Sequence, residues 1–130
     1  VARVIFDLDG TLVGKVNGRY VLRPGLVSVI QHRKLMGDTL VLWTFGNRPW
    51  WRRVRQMFPV LANLFDEVYT KDEMPGHVTM APGKFIPEVV KDIRVLHGDV
   101  LVDNDPVHHE WAARHGLANR YVKVATLGEG

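Results

Sequence analysis

Short continuous apolar runs recur along this chain, and most of the stretches between them carry helix signals. The runs are Val4-Ile5-Phe6, "TLVLWT" (39–44), "FDEVYT" (65–70), "DVLVD" (99–103) and "RYVKV" (120–124). A run without polar alternation is what a strand covered on both faces requires. Between the runs, Pro24-Gly25 precedes a helical pattern with Leu26, Val29 and Ile30 that Gly37 stops. Pro49 opens "PWWRRVRQMF", and Pro59 interrupts it. "KFIPEVVKDI" reads as helical after Lys84, with Pro87 in the first turn, and "MPGHVTMAPG" before it as a loop. "DPVHHEWAARHG" has Asp105 as N-cap, Pro106 at N1 and Gly116 as the stop. "KVNGRYV" carries Asn17-Gly18 between β-forming residues, a hairpin signal. With no repeats and no linker, the alternation predicts one α/β domain over residues 1–130, a three-layer sandwich with a parallel sheet and helices on both faces.

At 130 residues the chain can bury a sizeable core, and no apolar run approaches the roughly 18 residues of a membrane span. No signal-peptide pattern precedes the first run. The absence of cysteine excludes disulfides, thiolate metal sites and a cysteine nucleophile, and a cytoplasmic location is the expectation. A net charge of +3 permits contact with polyanions without requiring it.

In a parallel sheet with helices on both faces, ligands bind beyond the carboxyl ends of the strands. Four runs end there in polar residues: Asp7, Thr44, Thr70 and Asp103. Asp9 follows Asp7 by two positions, and a simple turn needs one acid at most. Asp7, Asp9 and Asp103 can therefore converge on one edge, where three acids call for a cation. Hard oxygen ligands favour Mg²⁺ over zinc.

Asp7-Leu8-Asp9-Gly10-Thr11, then Thr44, then Lys84, then "LVDNDP" resemble the four ordered motifs of the haloacid dehalogenase superfamily of phosphatases. "VLWT" and "VDNDP" look most like its C-terminal-domain phosphatase branch. The resemblance covers almost the whole chain and implies a haloacid-dehalogenase-like Rossmannoid sheet without a cap domain. It implies Asp7 as the nucleophile that becomes an aspartyl phosphate, Asp9 as general acid and base, and Thr44 and Lys84 as phosphoryl-binding residues. A carboxylate about 4 Å from a phosphate charge is repelled by roughly 4 kcal/mol at an effective dielectric of about 20, so Mg²⁺ and Lys84 have a repulsion to offset.

"GDVLVD" offers both Asp99 and Asp103 as acids. Asp99 lies four residues earlier on the same strand, about 13 Å away, and is expected at the opposite edge of the sheet. Asp103 is therefore expected at the metal. Likeness to the C-terminal-domain phosphatases adds Asn104 as a direct ligand and leaves Asp105 as the helix cap.

Other readings fail on spacing. Gly10 comes too early for a calcium loop, and Gly18 stands where its bidentate Glu would fall. "GHVTMAPGK" is too long between glycines for a phosphate loop, and "HEWAARH" lacks metalloprotease spacing. "RPWWRRVRQ" has two readings. Either Trp51, Val54 and Phe58 face inward and the arginines are solvated, or Arg48, Trp50 and Arg52 form a substrate platform beside the phosphate site.

Segments 13–38 and 70–84 leave room for little more than a hairpin, a helix and a loop, so an open site is expected. Open sites suit a phosphate on a macromolecule, with a nucleic-acid terminal phosphate preferred over a phosphoprotein or a small metabolite. The rival class is a non-catalytic phosphate- or nucleic-acid-binding module on the same fold, which has no use for Asp9. A receiver domain is disfavoured because the Asp pair stands on the first strand.

Overall fold

The computed structural model describes residues 1–129. In chain order its elements are β1 (Arg3–Phe6), β2 (Val13–Val16), β3 (Arg19–Leu22), α1 (Leu26–Leu35), β4 (Thr39–Trp43), α2 (Arg48–Met57), β5 (Glu67–Tyr69), β6 (His77–Thr79), β7 (Glu88–Val90), β8 (Val100–Asp103), α3 (Pro106–Arg114) and β9 (Tyr121–Lys123). Short 3₁₀ turns occupy Pro59–Asn63, Ile93–Leu96 and Ala118–Arg120. The main sheet runs β5-β4-β1-β8-β9 with every pairing parallel, so β1 sits at its centre.

The continuous apolar runs are explained by burial on both faces. Val4 and Phe6 join Leu40 and Leu42 on one side, where α1 contributes Ile30 and α2 contributes Trp51 and Val54. Ile5 joins Val41, Trp43 and Leu101 on the other, where α3 contributes Trp111 and Ala112. Trp51 and Val54 thus face inward as one reading of the α2 stretch requires, while Phe58 is only partly buried.

The second face is not covered by helices alone. "KFIPEVVKDI" is not helical: Glu88–Val90 is a strand that pairs antiparallel with His77–Thr79, inside the stretch expected to be a loop. The β-branched pair Val89-Val90 favours extended backbone. Pro87 stands just before the strand, where its missing N–H costs the ladder nothing. Val90 then enters the core beside Ile93 and Trp111. A two-stranded sheet takes the place of the expected helix.

At Asn17-Gly18 both residues have positive φ, 51° and 77°, as a two-residue hairpin turn demands. This joins β2 to β3, so residues 13–38 carry that hairpin and α1, whereas the β6–β7 hairpin runs past residue 84 to Val90. No helix among the described residues is long and apolar enough to cross a membrane.

Helix α1 buries a single residue completely, Ile30, with Leu26 and Val27 partly packed beside it. Ile30→Ala is therefore expected to cost about 3 kcal/mol in urea unfolding, within the range for emptying a filled core site. Leu35→Ala on the same helix, at a side chain 86% exposed, should stay within about 0.5 kcal/mol of wild type.

Candidate active site

Asp7 leaves the carboxyl end of β1, and Asp103 ends the adjacent β8. Between their carboxylates lies the ammonium of Lys91, 2.8 Å from Asp7 Oδ1 and 2.7 Å from Asp103 Oδ2. Lys91 is 1% exposed. It follows β7 directly, and its main chain is held at both ends. Its N–H donates to His108 Nδ1 at 3.0 Å, and its carbonyl accepts from the Tyr121 hydroxyl at 2.6 Å. The Phe45 ring centroid lies 5.2 Å from the ammonium, adding a cation–π contact.

This corrects the assignment of Lys84. That residue lies in an exposed turn, its ammonium pairs with Glu88 at 2.8 Å, and its side chain is 55% exposed. The lysine of the site stands seven positions later because the segment is a strand rather than a helix. The charge shared by Asp7 and Asp103 is an ammonium, and the carboxylate of Asp9 faces elsewhere. Among the described residues no three His, Cys, Asp or Glu side chains form a group that could hold a metal.

Asp9 Oδ1 accepts from the Trp50 indole N–H at 2.8 Å, and Oδ2 lies 3.5 Å from the Thr44 hydroxyl. The Thr44 oxygen in turn accepts from the Gly46 amide at 2.9 Å. Burial pushes the Asp9 carboxyl up, against the opposing effect of the Trp50 donor. Burial also pushes the Asp7 carboxyl up, to about 7, against the lowering effect of the Lys91 charge. Asp103 is as deeply buried, which alone would raise it. The Lys91 and His108 neighbours and the Asp105 N–H hold it below the usual carboxylate range. Burial opposes the charge on Lys91, but two carboxylates outweigh it and its pKa rises.

The oxygen of Asp7 not taken by Lys91, Oδ2, accepts from the Thr11 hydroxyl at 3.1 Å. One terminal atom of the Asn104 amide lies 2.8 Å from this Oδ2, 3.0 Å from the Asp9 main-chain oxygen and 3.1 Å from the Thr11 hydroxyl. Facing these acceptors directly, that atom is the nitrogen, and the amide oxygen then accepts from Thr126 at 3.1 Å. Gly10 makes this approach possible. Its φ is +80°, and a Cβ there would come within 2.4 Å of the Asn104 amide.

Asp7, Asp9, Thr44, Gly46, Lys91, Asp103 and Asn104 line a cavity of about 370 Å³ together with Phe45 and His108. Asp9 and Asn104 are shared with a neighbouring groove of about 450 Å³ walled by Lys15, Tyr20, Pro106 and Leu127. Asp99 is at the other edge of the sheet, where it accepts from the Arg3 N–H at 2.8 Å, and Asp105 caps α3 through the Val107 N–H at 3.0 Å. Both placements match the sequence reading. Thr70 does not reach the site: its hydroxyl bonds to Glu73.

Of the expected platform, only Trp50 touches the site, through its indole N–H on Asp9. The Arg48 guanidinium is paired with Glu73, and its N–H donates to Asp72 at 2.8 Å. Arg52 lines a separate surface depression with Arg55, Gln56 and Ala62. Lys91, His108, Thr11 and Gly46 are the site residues that sequence reasoning did not single out as functional.

Lys91→Met leaves two buried carboxylates without their shared cation, and an expected loss of about 3 kcal/mol in unfolding free energy follows. Lys84→Ala should leave both the melting temperature and any turnover unchanged; a larger effect there would undo the assignment. His108 offers a pH test. Burial holds its imidazole down at about 4, while Asp103 opposes the shift. Unfolded, it titrates near 6.5 and takes up its proton first as pH falls. Its contribution to stability is complete above about pH 6.5 and is lost on descending towards 4. Urea unfolding at pH 7 and 4.5 should therefore show a smaller pH difference for His108→Asn, whose Oδ1 can still accept from Lys91.

No protein-family model and no curated protein matches the chain. Solved structures do. Fission yeast Fcp1, an RNA polymerase II CTD phosphatase bound to beryllium fluoride, matches with TM-score 0.62 and 19% identity over 98% of this chain and 44% of its own. A chain of the Pnkp1/Rnl/Hen1 RNA repair complex matches with TM-score 0.58 and 20% identity over 98% and 43%. An uncharacterized protein from Listeria monocytogenes serotype 4b matches with TM-score 0.52 and 22% identity over 80% and 67%. The chain thus spans less than half the length of the first two. What the likeness establishes is architecture: this chain has the haloacid-dehalogenase-like fold, built as it is in the CTD phosphatase.

Proposed function

We propose that the chain is a Mg²⁺-dependent phosphomonoesterase that works through an aspartyl phosphate on Asp7. The observation that carries this reading is the division of labour within one turn. Asp7 has one oxygen bound to Lys91 and the other turned toward Thr11 and Asn104. Asp9, two residues on, keeps a separate carboxyl beside Thr44.

The oxygens present fit Mg²⁺. Octahedral coordination at about 2.1 Å places adjacent ligand oxygens about 3 Å apart. The inner Asn104 amide atom is 2.8 Å from Asp7 Oδ2 and 3.0 Å from the Asp9 carbonyl oxygen, matching two such edges once the amide presents its oxygen. Asp7, the Asp9 main chain and Asn104 would hold the ion. Asp103, expected as a further ligand, holds Lys91 through Oδ2. Bound there, Mg²⁺ supplies the positive charge that offsets repulsion between Asp7 and the phosphoryl oxygens.

Asp7 attacks phosphorus, the bond to the leaving oxygen breaks, and Asp9 gives that oxygen a proton. Its raised pKa favours the protonated form that this step needs. In the second half, Asp9 takes a proton from water, water oxygen bonds to phosphorus, and the bond to Asp7 breaks. Lys91 and Thr44 offset charge on the phosphoryl oxygens. The leaving group departs past Asp9 into the adjoining groove, which is open enough for a phosphate carried by a macromolecule. Arg48 and Arg52 give a nucleic-acid end no particular support, since one is paired internally and the other faces another surface.

Turnover should be measured on p-nitrophenyl phosphate, a phosphopeptide and 3′- and 5′-phosphorylated oligonucleotides. The expected result is hydrolysis that EDTA abolishes and Mg²⁺ restores, with Asp7→Asn at least about 100-fold slower at an unchanged melting temperature. A folded Asp7→Asn protein that keeps more than a few per cent of activity would refute the nucleophile.

A further inference from the structure

We propose that Trp50 is a positioning residue that holds Asp9 with its proton-bearing oxygen on the Thr44 side and so favours phosphate esters of aliphatic alcohols. The inference rests on the reading of Asp9 as the acid that protonates the leaving oxygen. The Trp50 indole N–H, a group that can only donate, stands 2.8 Å from Asp9 Oδ1. Oδ1 is therefore an acceptor, and a proton on this carboxyl sits on Oδ2. Oδ2 is 3.5 Å from the Thr44 hydroxyl, too far for that contact to hold it tightly. As Asp7 bonds to phosphorus, the leaving oxygen departs with the bonding electrons and takes the proton from Oδ2. Negative charge then spreads over both Asp9 oxygens. The indole contact changes from neutral to charge-assisted and roughly doubles in strength. A contact that strengthens as the proton moves lowers the barrier to that step. The gain grows with the basicity of the leaving group, because an alkoxide needs its proton and a nitrophenolate does not.

The indole is itself fixed from several sides. The Trp50 main-chain N–H donates to the Asn47 side chain at 2.8 Å, which caps the start of α2. The next residue, Trp51, is buried in the core with Val54, so α2 cannot turn Trp50 away without exposing both. Tyr20 of the β2–β3 hairpin packs against the indole, with ring centroids 5.2 Å apart and planes at 56°. On the opposite strand of that hairpin, the Lys15 ammonium lies 5.5 Å from the Tyr20 ring centroid. Gly46 leaves room for the indole, since a Cβ there would fall 2.7 Å from Trp50 Cδ1. The hairpin, the β4–α2 turn and the turn after β1 thus meet around one carboxyl.

The test compares kcat/KM of the full chain on β-glycerophosphate and on p-nitrophenyl phosphate. That ratio includes no step after the leaving group departs, so hydrolysis of the aspartyl phosphate does not enter. Trp50→Phe keeps a ring beside Tyr20 and removes the donor. It should lose about tenfold on β-glycerophosphate, and a factor smaller by at least about threefold on p-nitrophenyl phosphate. Trp50→His should recover most of that difference, because imidazole Nε2 falls where the indole Nε1 stood. In an Asp9→Asn background no charge develops on the side chain, and the Trp50→Phe loss on β-glycerophosphate should shrink to less than about twofold. Equal losses on the two esters, a Trp50→His protein no better than Trp50→Phe, or an undiminished loss in the Asp9→Asn background overturns the proposal. So does a Trp50 indole proton that exchanges with solvent as fast as an exposed one in the wild-type protein, a result independent of whether any variant folds. Wild-type protein that turns over neither ester, or an Asp9→Asn loss equal on both, refutes the underlying reading of Asp9 as the acid. An Asp9→Asn loss that depends on the ester, with no such dependence in Trp50→Phe, refutes Trp50 alone.

Discussion

One buried ammonium organises this molecule. Lys91 lies between two carboxylates that belong to neighbouring central strands, and without it neither could be retained ionised at that depth. Hydrogen bonds brace the trio, from the Thr11 hydroxyl to Asp7 and from the Asp105 N–H to Asp103. Its main chain is fixed by His108 from α3 and by Tyr121 from β9, so the layers on that face share one electrostatic anchor. The same contact consumes one oxygen of Asp7 and leaves the other pointing outward, which makes the carboxylate directional.

Around that anchor the site is built mostly from groups that are not charged. Thr11, Asn104, Thr44, Gly46 and the Trp50 indole supply hydroxyls, amides and one ring N–H, all within reach of the two acids of the first turn. Neutral dipoles can be packed closely without the repulsion that further charges would bring. Gly10 serves this packing on steric as well as conformational grounds: the Asn104 amide occupies the space of its missing side chain, and its φ is +80°.

The parallel sheet and the strand-end acids were legible because both depend on short-range patterns. A continuous apolar run followed by Asp7 or Thr44 marks a buried strand and its carboxyl end, and the rise per residue separates Asp99 from Asp103. Lys91 was not legible in that way. Its burial depends on the pairing of β7 with β6, a tertiary fact, and Lys84 beside a proline-containing stretch looked like a helix start. The usable signal was the pair Val89-Val90 between Pro87 and Asp92, a β-branched run too short for a helix. The arginines of α2 failed for a related reason. Helical spacing gives each a direction, but not the acidic partners Asp72 and Glu73 that a distant turn brings to Arg48.

The central place of β1 also governs how the chain reaches this state. One of its neighbours, β4, arrives 36 residues later, but the other pairs Val4 with Val100, 96 positions along the chain. Loop closure over that length is entropically costly and slow compared with local hairpins or helices. The strand that leads into Asp7 is therefore among the last to be fully flanked. Until β8 docks, Asp7 stands on a half-paired strand without Asp103 beside it, so the carboxylate pair that Lys91 bridges exists only once the most distant pairing in the sheet has formed.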